Sequence, residues 1–190
     1  MISELHSQLQ NWRLLLPQEL QWSDHQKHEL SDPVQLFERD IARSSSDLEI
    51  VIAQLRSRFY DARFTLHSPS LYLTLHHSGS LSSDDTRFCI LALESTLLWP
   101  LSAESVSNRK RLIPHHFTWT QNAISFPCIF AMIGKNEKLK EICEQHLDMQ
   151  ELRISVAVQL AWLQDLKAID GIADWAWRLL HPLFIQKKEG

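Results

Sequence analysis

The side chains in this sequence best able to do chemistry are its ten histidines, its three cysteines and one pair of adjacent aspartates. His25 and His28 stand three apart on a polar stretch, with no carboxylate or third ligand at a spacing that zinc uses. His76-His77 and His115-His116 are adjacent pairs, and neighbours on a helix point to different sides, so neither makes a ligand set of the HxH or HExxH kind. Asp84-Asp85 could hold magnesium only with a further acid one helical turn on. Thr86, Arg87 and Phe88 follow instead, and Ser82-Ser83-Asp84-Asp85 reads as the capped start of a helix. Cys143 and His146 share a helical face but lack a third group to orient them, so Cys143 is expected to be a core or half-buried thiol. With four glycines in all, no nucleophile elbow, phosphate loop or dinucleotide turn is present. These residues predict no catalytic site, no cofactor and no metal within the chain.

The element expected to organise the fold is the stretch from Ala53 to Leu73. Leu55, Phe59, Ala62 and Leu66 recur on a helical period, with Ala53, Arg56, Tyr60 and Arg63 beside them. Because the residue before a proline is pushed out of the α region, this helix is expected to stop near His67-Ser68, with Pro69 opening a second one. Asp47 is a suitable cap for its start.

Elsewhere the periodicity is also helical. Ile2, Leu5, Leu9 and Trp12 outline a first helix ending at Pro17, and its lack of a capping box places its expected start upstream of Met1. Leu14-Leu15-Leu16-Pro17, leading to Leu20 and Trp22, reads as an apolar clasp. Residues 23–46 read as a loop, with a short helix possible over 33–41. Further helices are expected over 86–98, 115–134 (kinked at Pro127), 137–146, 149–169 and 172–180. No strand or internal repeat is evident. The expectation is a single domain over 1–190, an all-α irregular bundle of roughly seven to eight helices.

A net charge of -4 gives no general attraction to nucleic acid, and the basic run Arg109-Lys110-Arg111 is too short to change that. The three widely spaced cysteines suit a reducing compartment. No signal peptide is visible, and no apolar run approaches the roughly 20 residues that cross a bilayer. A soluble, intracellular protein is expected, with no membrane partner. The seven tryptophans are expected mainly as core anchors.

Taken in order, LHSQLQNWRLLLPQEL (5–20), LRSRFYDARFTLHSPSL (55–71) and a helix bearing Cys89 resemble the middle homology region of fungal-specific transcription factors. The pattern is Leu-x3-Leu-x2-Trp and Leu-Pro-x2-Leu, then a Tyr, an Arg one turn on, and Pro-x-Leu. The resemblance implies a nuclear regulator of transcription, with secondary-metabolite gene clusters a frequent setting. It points to Tyr60, Arg63 and Ser68 as the candidate regulatory surface. The six cysteines that bind two zinc ions in such regulators are absent, so zinc and direct DNA contact are assigned to no residue of this chain. The implied partners are another protein or a second copy, and a small-molecule effector. The alternative from a different class is a helical binding module with an apolar, tryptophan-lined pocket and no DNA binding of its own. An enzyme of unrecognised type is the third class.

Overall fold

The computed structural model describes residues 1–24, 47–77, 79, 81–100 and 116–184. Among them run seven α-helices, one short 3-10 turn at Gln18–Leu20 and no strand. The helices are α1 (Ile2–Leu14), α2 (Asp47–His76), α3 (Ser83–Leu98), α4 (His116–Ile133), α5 (Glu137–His146), α6 (Met149–Leu166) and α7 (Gly171–Phe184). The fold is all-α, as the periodicity predicts. The expected helix over 33–41, the histidines His25, His28 and His115, and the basic run 109–111 lie outside the described residues.

Four of the helix starts are closed by side chains that the sequence supplies at the right place. Ser82 accepts from the Asp85 N–H at 3.0 Å, which makes the Ser-Ser-Asp-Asp run a cap and starts α3 at Ser83, three residues before the expected Thr86. Asn136, Asp148 and Asp170 accept in the same way at the starts of α5, α6 and α7. The first helix begins at Ile2 with no side-chain cap.

The central helix corrects two expectations. It does not stop at Ser68: α2 runs unbroken through Pro69 for 30 residues. A proline inside a helix strands the carbonyl four residues back, here that of Thr65. The Ser68 hydroxyl donates to that Thr65 carbonyl at 3.0 Å, so the polar group freed by Pro69 is satisfied from within the same turn. The second correction concerns which face is buried. Ala62 is exposed and Leu55 and Leu66 are only half-buried, whereas Ala53, Arg56, Phe59, Tyr60, Arg63 and His67 are buried. The polar line beside the apolar stripe is the one that faces the core.

That line is received mainly by α3, the helix with which α2 packs most extensively. A second layer is formed by α4, α6 and α7, which pack on one another, and α5 bridges the two layers. Between them lies an aromatic cluster of fully or nearly buried rings. Trp99 meets Trp119 and Phe126 edge-on, with centroids 5.6 and 5.7 Å away, and Trp119 meets Trp162 at 5.3 Å. The Trp99 indole N–H donates to the Ser57 hydroxyl at 3.1 Å, tying this cluster to α2. Three of the tryptophans are thus core anchors, while Trp12 and Trp175 are exposed.

If Ser68 serves Pro69, removing its hydroxyl matters only while the proline is present. Ser68→Ala should lower the free energy of unfolding by about 1 kcal/mol, and by much less in a Pro69→Ala background, where the restored N–H bonds to Thr65. Urea unfolding of the two single variants and the double variant measures the difference.

Candidate functional site

The ionisable residues of α2 are spaced so that successive turns meet different parts of the chain. Near the middle of the helix, Tyr60 is completely buried, and its hydroxyl donates to Asp24 Oδ1 while accepting from the Trp22 indole N–H at 3.3 Å. Arg13, on α1, closes the same knot: its Nη1 meets Asp24 Oδ2 at 2.6 Å and its Nη2 donates to the Trp22 carbonyl at 2.9 Å. The guanidinium also lies 4.8 Å from the Trp22 ring centre and 5.3 Å from that of Phe59. This knot replaces the expected Leu14–Leu16 clasp, since Leu14 and Leu15 are exposed. Arg56 lies one turn before Tyr60, 5.9 Å from its ring centre, with Nε and Nη2 buried and without hydrogen-bond partners.

The electrostatics of the knot follow from burial and pairing. Burial would raise the Asp24 carboxyl, but hydrogen bonds from Arg13 and Tyr60 outweigh it and hold the group below the ordinary carboxylate value. Burial, reinforced by the neighbouring Asp24, pushes the Tyr60 phenol up to about 12. Burial also lowers Arg56, which stays charged, as a guanidinium does in proteins.

One turn further on, Arg63 reaches a different helix: its Nη2 meets Glu94 Oε2 of α3 at 2.5 Å. Another turn on, His67 is nearly inaccessible and stacks on Phe88 of α3, centroids 5.0 Å apart at 12°. Its Nε2 lies 2.9 Å from Nδ1 of His6 on α1, so the two imidazoles share one proton along that line. Burial, then His6, Arg63 and Arg87, bring His67 down to about 4, and burial followed by the same two arginines lowers His6.

Of the three candidates named from sequence, Tyr60 and Arg63 are therefore brought onto one buried line but face different partners. Ser68, half-buried, belongs to the repair of Pro69. His6, Arg13, Asp24, Trp22, His67 and Glu94 complete the line. Sequence reading passes over them because the bonds that tie them to α2, Asp24 and Trp22 to Tyr60, Glu94 to Arg63 and His6 to His67, span 31 to 61 positions, and no local spacing rule reaches that far. Two of the three cysteines, Cys89 and Cys143, are also buried, and Cys128 is half-buried. Cys143 is buried and its thiol is pushed up to about 12 by burial, then by Cys89 and Glu144, so it is not a thiolate near neutrality. Among the described residues no group of three histidine, cysteine or acidic side chains converges on a point.

One concavity lies elsewhere, between α6 and α7: a groove of about 620 Å³ lined by Leu152, Arg153, Val156, Leu160, Leu183 and Phe184, among others. No tryptophan borders this groove.

Two outcomes follow from the buried line. Tyr60→Phe leaves the Trp22 N–H and one Asp24 oxygen without their partner and should cost about 1–3 kcal/mol of stability by urea unfolding. His67 binds a proton more weakly in the folded chain, at about 4, than at its ordinary 6.5. Its contribution to stability is therefore complete above about pH 6.5 and is lost as pH falls toward 4. Lowering the pH from 7 to 5 should remove about 1–2 kcal/mol in the native chain and much less in His67→Gln. Asp24 acts only at lower pH, since its folded value lies below the ordinary 3.8. Comparison with protein-family models, with curated proteins and with solved structures gives no significant match to this sequence.

Proposed function

We propose that this chain is a non-catalytic helical module that works by binding, and that it acts in transcriptional regulation in the nucleus. The family resemblance of residues 5–20 and 55–71 supplies the regulatory part of this reading. The observation that supports binding over catalysis is the direction in which the reactive side chains are used. Tyr60, His67 and Cys143 are all buried, and each titrates away from the range where it would exchange protons or attack near neutrality. Arg13, Asp24, Arg63 and Glu94 are spent as cross-links between elements. Among the side chains the molecule offers outward are large apolar ones: Trp12, Trp175, Leu179 and Leu183 are exposed. Contiguous apolar surface is what partners recognise.

In this reading, zinc and DNA contact are carried by other segments or other proteins, and this chain transmits a regulatory effect through its surface. Fused to a heterologous DNA-binding domain, the full chain should raise or lower transcription from a matching reporter several-fold relative to that domain alone. A folded, nuclear fusion that leaves both an activatable and a repressible reporter unchanged overturns the regulatory reading.

A further inference from the structure

Helix α7 has two apolar stripes. One, Ala173, Ala176 and Leu180, is buried against the second layer of the bundle. The other, Ile172, Trp175, Leu179 and Leu183, recurs at steps of three and four and faces outward, its members 43%, 59%, 49% and 59% exposed. At 100° per residue the two stripes are about a quarter-turn apart, while Asp174, Arg178 and His181 occupy the remaining polar side. An isolated exposed leucine is ordinary, but a full-length stripe on one helix leaves on the order of 500 Å² of apolar surface once the neighbouring Ile169 is included.

We infer that this stripe packs against the same stripe of a second copy, the two α7 helices running antiparallel about a two-fold axis. Three features favour a second copy as the occupant. First, the two ends of α7 are complementary. The C-terminal end borders the groove of about 620 Å³, through Leu183 and Phe184, while the N-terminal end presents Ile172, preceded by the exposed Ile169. An antiparallel pair centred between Trp177 and Arg178 brings Ile172 of each copy opposite Leu183 of the other, at the mouth of that groove. Trp175 then lies within one residue, about 1.5 Å along the axis, of the level of Leu179 in the other copy. A two-fold axis makes each of these contacts twice, as an isologous interface requires.

Second, the charges match. Arg153 is an exposed cation on the groove wall. Asp170 uses Oδ1 to cap α7 and sits at the end that the pairing brings to that wall. Third, the area is appropriate. The stripe, together with the groove wall and the polar residues flanking them, approaches the roughly 800 Å² per partner of a stable interface. Area does not set affinity, and a half-exposed apolar stripe of this kind is expected at the weak, micromolar end of the range for such interfaces. The inference gives an occupant to the same α7 face on which the binding reading draws, and it does not depend on the regulatory part of that reading.

Sedimentation equilibrium of the full chain, from below micromolar to about 100 µM, tests it. A reversible dimer is expected. Trp175→Glu and Leu179→Glu, each at an exposed position so that far-ultraviolet circular dichroism is retained, should raise the dissociation constant by more than about tenfold. Arg153→Glu, on a different helix, should also weaken the dimer, and its effect should shrink in high salt. A chain that stays monomeric throughout overturns the inference and leaves the face to a different protein. So does a dimer whose dissociation constant is unmoved by both stripe variants. Stripe variants that dissociate the dimer while Arg153→Glu does nothing overturn the antiparallel arrangement.

Discussion

A guanidinium withdrawn from water must be met by a carboxylate or an aromatic face, and α2 buries two of them, Arg56 and Arg63. Much of the architecture around this helix is the set of answers to that constraint. Arg63 requires Glu94, which fixes the register of α3 along α2. Arg56 lies over Tyr60, whose hydroxyl is bound to Asp24, and Asp24 is in turn gripped by Arg13. Residues near the start of the chain are thereby pinned to the middle of the central helix. Hydrophobic burial alone would let a long helix rotate or slide against its neighbours, since apolar contacts are non-directional. The ionic and hydrogen-bonded partners have no such freedom.

The helices themselves were largely legible, because their periodicity is in the sequence and four of their starts are marked by a capping side chain. Asn136, Asp148 and Asp170 each stand just ahead of an amphipathic run, and the helices begin there. Two things were not legible. The first was the fate of Pro69: the rule that proline ends a helix assumes an unsatisfied carbonyl, and Ser68 removes that assumption through a hydrogen bond that the rule does not consider. The second was the buried face of α2. A hydrophobicity count ranks Leu55, Ala62 and Leu66 above Arg56, Arg63 and His67, yet Arg63 is met by Glu94 of α3, His67 by His6 of α1, and Arg56 by the ring of Tyr60. Only the identity of long-range neighbours decides between the two faces, and Glu94 and His6 cannot be assigned as those neighbours from spacing.

The two stretches on which the family resemblance rests, 5–20 and 55–71, are in mutual contact. Trp12 stacks on Phe59 with centroids 6.4 Å apart, and His6 meets His67. Tyrosine and arginine one turn apart on a helix would be unremarkable as a local motif. Here they are the two points where that helix is tied to the segment preceding it and to the helix following it. The candidate surface is thus better described as an internal joint.

The way α1 is held has a consequence for how the molecule opens. None of its residues is buried, and it is attached to α2 by one ion-pair knot, one pair of imidazoles and partial apolar contacts such as Leu9. The tryptophan cluster linking α3, α4 and α6, by contrast, contributes nothing to that attachment. The energy landscape consequently has two tiers, a shallow one in which α1 lifts away and a deep one in which the remaining bundle comes apart. In native-state hydrogen exchange such a molecule is two cooperative units sharing one chain, with backbone amides of α1 exchanging through the shallow opening and those around Trp99 and Trp162 only through the deep one.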